Sequence, residues 1–281
     1  ILVMAAALFG FASQGFAGRT VLAQTPPTIA ITPTSGPWGS TVTVNGSSFG
    51  ATETGIRVRW DGVDITPAPG ATASAAGAWS TTFTVPTLAA GVTHYVDAYG
   101  LATPHTSVVD VPFTVPSPSL NLSLTNGPWG SLVSVTGSGF GANETGVTVT
   151  YDGTDVPTVP TTVSANSSGS WSATFTVPAS TPGAHVVDAR GVTTPFDNVP
   201  NVTFTIPTPA LTLSRTSGPV GTSVTVSGAG FGANETGITV TYDGTSVASS
   251  SLASAQGGWS TTFTVPPSIS GTHSFGASGT T

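Results

Sequence analysis

Histidine is the residue type in this chain best suited to proton transfer, and it recurs at equivalent places. His94, His185 and His273 lie in similar segments, and the first two precede an aspartate by three residues. An imidazole beside a carboxylate can act as a general base. Residues i and i+3 of a strand project to opposite faces, so we expect His94 and Asp97 not to touch. No Gly-x-Ser-x-Gly motif accompanies them. We therefore predict a structural role and no catalytic residue.

Recurring carboxylates are the second group with chemical capacity. Glu53, Glu144 and Glu235 hold the same position in three Ala-x-Glu-Thr-Gly segments. A carboxylate there can accept hydrogen bonds from backbone N–H groups, so we expect these glutamates to structure the loop before the next strand. The alternative is calcium, with the Asp-Gly aspartates as further ligands. Calcium requires about six to eight oxygens, and each repeat offers only a few separated acids. We predict no metal and no cofactor.

Two tryptophans occupy turns. Trp38 and Trp129 each lie in Gly-Pro-Trp-Gly, where the third copy has Val220. An exposed Trp can stack on a sugar ring, so these two residues are candidates for carbohydrate stacking. A turn tryptophan that folds back on its own domain is the favoured alternative. Three further tryptophans begin a strand in every copy and are predicted to be buried between sheets: Trp79, Trp171 and Trp259.

The elements that position these residues come in three copies. The Gly-Pro turns begin at Gly36, Gly127 and Gly218, 91 residues apart each time. A period of this length matches one small domain. We predict repeats over residues 27–116, 119–207 and 210–281. The third lacks the segment equivalent to 202–206, so we expect it to be C-terminally incomplete and further domains to follow downstream.

Within each repeat the pattern is that of β-strands. Apolar and polar residues alternate, and Thr and Val predominate, as in half-buried strands. Asp-Gly pairs after the third strand suit tight hairpins. Seven short antiparallel strands indicate an all-β, Ig-like sandwich in each copy. In the first repeat we predict strands near residues 28–32, 40–45, 55–60, 63–66, 79–85, 93–98 and 109–115.

The opening of each repeat resembles a known family. Residues 217–232 read Ser-Gly-Pro-Val-Gly-Thr-Ser-Val-Thr-Val-Ser-Gly-Ala-Gly-Phe-Gly, and residues 34–49 and 126–140 follow the same pattern. This segment is similar to the start of an IPT/TIG domain, the Ig-like module of plexins, some transcription factors and many bacterial surface proteins. The resemblance implies a tandem array of three Ig-like sandwiches. It does not specify a function, because members of the family have diverse roles.

Composition limits the location and the partners. Only 6% of residues are charged, the net charge is -7, lysine and cysteine are absent, and no basic patch exists. Nucleic acid is therefore excluded as a partner, since phosphate binding needs basic side chains. Residues 1–23 have an apolar run and a cleavage-like ending at Ala23, which predict an N-terminally truncated signal peptide. A membrane anchor is the alternative; no other run predicts a membrane span in the mature chain.

These observations favour a non-enzymatic protein that is secreted or held at the cell surface. The linkers at 116–118 and 207–209 are short and Pro-rich, as in semi-rigid spacers. We predict a rod about 100 Å long that serves as a stalk, adhesin or envelope component. Surface glycans or other surface proteins are the expected partners. The alternative is a carbohydrate-binding accessory region of a larger secreted enzyme.

Overall fold

The structure, a computed structural model, describes residues 25–65, 70–87 and 91–280. The predicted signal peptide of residues 1–23 lies outside the described residues. Across the described ranges the elements are β-strands and two short 3₁₀ turns, with no α-helix. In this part of the chain, no helical segment has the length and apolar character that a membrane crossing requires. The prediction of an all-β chain is confirmed.

The first repeat forms a sandwich of two antiparallel sheets. One sheet has the order β1-β2-β5 and the other the order β4-β3-β6-β7. Its seven strands match the seven predicted from the sequence to within a few residues at each end. They are β1 (Thr28–Thr32), β2 (Thr41–Ser47), β3 (Arg57–Trp60), β4 (Val63–Asp64), β5 (Trp79–Thr84), β6 (Thr93–Tyr99) and β7 (Val111–Thr114).

The second repeat has the same topology with one added edge strand. Its sheets have the orders β12-β13-β9-β8 and β11-β10-β14-β15. The strands are β8 (Ser119–Leu122), β9 (Leu132–Ser138), β10 (Thr148–Tyr151), β11 (Thr154–Asp155), β12 (Thr158–Val159), β13 (Trp171–Thr176), β14 (Gly183–Arg190) and β15 (Val202–Ile206).

The third repeat lacks a counterpart of β7 and β15 in its described residues, as predicted. Its sheets have the orders β16-β17-β20 and β19-β18-β21, so β21 is a sheet edge. Among its described residues none takes the place that the fully buried Phe113 and Phe204 hold in the other two units. The strands are β16 (Ala210–Leu213), β17 (Ser223–Ala229), β18 (Thr236–Tyr242), β19 (Thr245–Leu252), β20 (Trp259–Thr264) and β21 (Phe275–Ser278).

Each core is built on a tryptophan that lies over a glycine. Trp79, Trp171 and Trp259 are 5–6% exposed, which places them between the sheets as expected. Their rings meet the phenylalanine of the preceding loop edge to face, for example Phe49 and Trp79 with ring centroids 5.2 Å apart. The strand partner of Trp79 is Gly46, where a side chain would overlap the indole. Glycine in mid-strand thus makes room for the ring.

Candidate functional site

The Asp-Gly hairpin is held by its own aspartate in all three units. Asp61, Asp152 and Asp243 have φ near +46° to +49°, a left-handed conformation that Asp tolerates better than most residues. In each copy one carboxylate oxygen accepts a hydrogen bond from the backbone N–H of the neighbouring strand, at 2.8–2.9 Å. The other oxygen lies 2.6–2.7 Å from the Nδ1 atom of the recurring histidine. The hairpin is therefore fastened to the strand beside it.

His94 bonds to Asp61 and not to Asp97, in keeping with the opposite projection of residues 94 and 97. The pairing of His94 with Asp61 was not predicted from the sequence. The pairing could have been found from the fact that Asp-Gly and His recur together in all three copies. Each of the three recurring imidazoles also stacks on the aromatic residue before the Asp-Gly pair, with ring-centroid distances of 4.7, 5.0 and 4.6 Å.

The geometry also sets the protonation state of two of these histidines. Nε2 of His185 lies 2.8 Å from the carbonyl oxygen of Thr181, and Nε2 of His273 lies 3.0 Å from that of Ile269. A carboxylate and a carbonyl only accept hydrogen bonds, so both ring nitrogens must donate. The bond to Asp152 raises the pKa of His185, and the same bond lowers the pKa of Asp152. An imidazolium with both N–H groups engaged has no lone pair with which to act as a base.

A pH dependence of stability follows from these pairs. A histidine whose pKa is raised by folding stabilises the fold below its ordinary value of 6.5, and that contribution is lost as pH rises through the folded pKa. Asp152, whose pKa is lowered, stabilises above 3.8 and loses this contribution as pH falls through its folded pKa. The pair therefore stabilises most between these two ordinary values.

We expect the double variant His185→Gln/His273→Gln to melt at a lower temperature than the wild type below the ordinary histidine pKa of 6.5, with the difference shrinking as the pH rises through the raised pKa of the folded state. Melting curves by circular dichroism across this range provide the measurement. The single variant His105→Gln serves as a control, because His105 lies in an exposed 3₁₀ turn and takes no part in these pairs. A difference that is constant with pH would contradict the ionised pair.

The recurring glutamates lie buried at one end of each sandwich, each 6% exposed. Glu144 accepts hydrogen bonds from the backbone N–H groups of Gly141, Thr193 and Thr194 and from the Thr194 hydroxyl. Burial by itself would raise the pKa of Glu144, but these hydrogen bonds outweigh it and lower the pKa. The carboxylate thus joins the loop after β9 to the loop after β14.

Glu53 makes the equivalent bonds to Gly50, Ala102 and Thr103, and its pKa is lowered by the same balance of burial and hydrogen bonding. Glu235 accepts the N–H of Gly232 at 2.8 Å. In Glu53 and Glu144 both oxygens are taken by protein donors. Within the described ranges no three acidic or histidine side chains are grouped as a metal site would require. We propose that these glutamates organise loops.

Trp38 lies at the junction between the first and second units. It is 2% exposed. Its indole Nε1 donates to the Thr193 hydroxyl at 3.0 Å, and its carbonyl oxygen accepts the N–H of Ala142 at 2.8 Å. A Cβ atom on Gly141 would lie 2.7 Å from the Trp38 Nε1 atom. The turn of one unit thus docks on the loop that Glu144 organises in the next.

The second junction repeats the backbone bond and the close approach to a loop glycine that are found at the first. The carbonyl oxygen of Trp129 accepts the N–H of Ala233 at 2.9 Å, and a side chain on Gly232 would overlap the Trp129 ring. Trp129 is half-buried and packs against the core of its own unit. The two linkers pass close to the next domain: a Cβ atom on Gly139 would lie 2.5 Å from the carbonyl oxygen of Ser117, and one on Gly230 would lie 2.9 Å from that of Thr208.

The hypothesis that Trp38 stacks on a sugar does not fit this geometry, whereas stacking on the half-buried Trp129 stays a prediction. The Trp38 ring is enclosed between two units, and one side of the Trp129 ring is covered by the loop at Gly232. Val220, which replaces them in the third copy, is 53% exposed. The junction role was not predicted from the sequence; the available signal was the recurrence of Trp in the turns at 36–39 and 127–130, each of which precedes another repeat.

Comparison with known proteins is decisive for the family. A model of the IPT/TIG domain matches residues 26–99, 118–206 and 211–279. The chain belongs to the IPT/TIG family. Its three sandwiches are therefore TIG domains, as the opening of each repeat suggested. Among curated proteins, no sequence matches significantly.

Several solved structures are also similar, all at low identity. The Yersinia pseudotuberculosis adhesin InvE is 14% identical, with 63% of this chain and 58% of that chain covered and a TM-score of 0.29. Invasin, titled a bacterial integrin-binding protein, is 16% identical, with coverages of 90% and 56% and a TM-score of 0.29. The Escherichia coli adhesin FdeC is 14% identical, with coverages of 85% and 88% and a TM-score of 0.28. The chain spans less than two thirds of the first two proteins. Proteins this distant do not indicate what the chain binds.

Proposed function

We propose that this chain is a non-enzymatic extracellular rod, in which TIG domains are joined at fixed angles to hold a surface protein away from its point of attachment. The observation that carries the proposal is the repeated junction. At both junctions the carbonyl oxygen of the turn tryptophan accepts a hydrogen bond from the backbone N–H of the equivalent loop alanine in the next domain. The distance is 2.8 Å for Trp38 with Ala142 and 2.9 Å for Trp129 with Ala233.

A repeated junction gives a constant relation between neighbours. At the first junction the buried Trp38 indole resists rotation between domains, because moving it exposes its apolar surface and breaks its hydrogen bond to Thr193. The short linkers at 116–118 and 207–209 add to this restraint, since they leave few free dihedral angles between domains. Successive domains with one fixed relation build an extended array, which suits a stalk or the spacer of an adhesin.

Composition supports an extracellular setting for this rod. Only 6% of residues are charged and lysine is absent, so the surface is dominated by Thr, Ser and Gly. Such a surface suits contact with neighbouring surface proteins or glycans more than capture of charged ligands. The recurring histidines, aspartates and glutamates are engaged in the bonds that hold the fold, and we assign catalysis to none of them. The role of carbohydrate-binding accessory region gains no support from Trp38 or Trp129.

The rod is tested by replacing the junction tryptophans with the residue that the third copy carries. For the wild type we expect small-angle scattering to show an elongated particle with a maximum dimension of roughly 100 Å, from three domains of about 33 Å each. In Trp38→Val/Trp129→Val we expect a broadened distance distribution, because the domains then rotate about their linkers.

Val220→Ala is the matched control, since Val220 occupies the same turn and is exposed in the described structure. It should leave the scattering curve unchanged. A compact wild-type particle would contradict the rod. An elongated wild type whose curve is unaltered in the double variant would show that the tryptophans do not fix the junctions.

A further inference from the structure

The first domain carries a cleft on the outer face of the sheet β4-β3-β6-β7. Its volume is about 750 Å³, and its lining includes Arg59, Tyr95, Asp97, His105 and Asp110. This volume is within the range of about 300–1,000 Å³ that is typical of small-molecule sites. None of the junction contacts described above involves these side chains.

Asp97 at the floor of the cleft has an incomplete set of partners. The residue is 9% exposed, and one carboxylate oxygen, Oδ2, lies 3.5 Å from Nη1 of Arg59. The other oxygen, Oδ1, receives no hydrogen bond from any residue that the structure describes. A buried carboxylate oxygen without a donor is costly. Burial accordingly raises the pKa of Asp97, against the opposing effect of Arg59.

Arg59 is positioned to serve a ligand and not only Asp97. Its Nε and one terminal nitrogen both donate to the carbonyl oxygen of Gly62, at 2.9 and 2.8 Å, which fixes the guanidinium plane. Nη1 remains directed toward Asp97 and the cleft. The site therefore presents a fixed donor next to Oδ2 of Asp97, 3.5 Å away, a distance longer than that of an ordinary hydrogen bond.

The cleft also has an exposed aromatic wall. Tyr95, the residue after His94 on β6, is 51% exposed although it is a large ring on a strand. The backbone N–H of Tyr95 donates to Asp61 at 2.9 Å, which holds this part of the strand against the hairpin. The cleft therefore offers a ligand an apolar surface, the Tyr95 ring, beside the polar groups of Arg59 and Asp97.

These features belong to the first domain alone among the three copies. The cross-strand pair Arg59 and Asp97 becomes Thr150 and Asp188 in the second domain, and Thr241 and Gly276 in the third. The position of Tyr95 is taken by Val186 and Ser274, whose backbone N–H groups donate the corresponding hydrogen bond to the aspartate. What the sandwich needs is repeated, whereas the cleft residues are not.

We propose that the cleft of the first domain binds a neutral sugar. Hydroxyl groups both donate and accept, so a hydroxyl can donate to Asp97 while accepting from Arg59. The apolar face of a pyranose ring would lie on Tyr95. The lining holds Asp61, Asp97 and Asp110 beside Arg59. An anionic ligand would face these three carboxylates, and a cationic ligand would face the guanidinium of Arg59, so a neutral polyhydroxyl compound is the class that meets no like charge. This adds a ligand to the rod, and it holds or fails independently of the junction geometry.

Saturation-transfer NMR on the full chain, with a panel of neutral methyl glycosides, tests the proposal. We expect transfer from at least one glycoside. In Tyr95→Ala and in Asp97→Asn we expect its affinity to fall about tenfold or more, the effect of losing one good polar or stacking contact. Because Tyr95 is exposed, Tyr95→Ala should keep the fold, which circular dichroism checks.

Val186→Ala and Asp188→Asn change the equivalent positions of the second domain and should leave binding unaltered. Absence of transfer from every neutral glycoside would overturn the proposal. So would binding that survives in Tyr95→Ala and Asp97→Asn, or binding lost equally in the second-domain variants. Binding confined to acidic glycans and abolished by Arg59→Gln would also overturn it, since an anion would then be the ligand.

Discussion

Replacing Glu144 by alanine is expected to destabilise the second domain by about 3–5 kcal/mol, because buried donors lose their acceptor together. The carboxylate accepts the backbone N–H groups of Gly141, Thr193 and Thr194 as well as the Thr194 hydroxyl. With the whole stability of a domain at about 5–15 kcal/mol, such a loss leaves little margin. The stability of Glu144→Gln should lie between that of the wild type and that of Glu144→Ala. Glutamine keeps one acceptor oxygen but places an NH₂ group among N–H donors.

The same substitution should also loosen the junction. The backbone N–H of Thr193 is held by Glu144, and its hydroxyl accepts the Trp38 indole. Hydrogen-exchange mass spectrometry under native conditions should therefore show faster exchange at residues 141–146, at 191–195, and in the turn at 36–40 of the preceding domain.

Glu53→Ala is the matched control for this coupling. Glu53 makes the equivalent bonds in the first domain, yet in the described structure its loop holds no tryptophan of another unit. It should speed exchange at 50–55 and 100–104 and spare residues 141–146. If Glu144→Ala leaves the turn at 36–40 protected, the loop and the junction are not coupled through Thr193.

The sequence was sufficient for the features that depend on local pattern. Strand positions follow from alternation of apolar and polar residues over a few positions, so β1 to β7 agree with the predicted segments. The repeat made these predictions stronger, because three copies had to agree. The absence of a last strand from the described residues of the third domain was predicted by the same comparison of the copies.

The candidate sites depended on contacts that no local pattern specifies. Trp38 meets Thr193, 155 positions further along the chain, and whether a turn tryptophan is exposed depends on that neighbour. His94 meets Asp61 across the sheet, 33 positions away, whereas the aspartate nearest in sequence, Asp97, faces Arg59 instead. Spacing within a strand could exclude the wrong partner but could not supply the right one.

The other large effect concerns the glycine under the core tryptophan, and the third domain is the place to measure it. Gly228 pairs with Trp259 across β17 and β20, and a methyl group there would overlap the indole ring. Trp259 is 6% exposed and rests edge-on against Phe231, with ring centroids 5.2 Å apart. The ring therefore has little room to retreat, and Gly228→Ala should cost roughly 3 kcal/mol through overpacking.

Gly258 supplies the opposite case within the same domain. A Cβ atom on Gly258 would lie 3.6 Å from the Ser254 hydroxyl oxygen, which is ordinary contact, and its backbone is not left-handed. Alanine there restricts the unfolded chain and should be neutral or stabilising by up to about 1 kcal/mol. Urea denaturation followed by tryptophan fluorescence, with exchange of residues 223–229 as the domain-specific signal, measures both. Equal effects of Gly228→Ala and Gly258→Ala would mean that the tryptophan can move aside, and that loss of backbone freedom, not the indole, determines why glycine stands at 228.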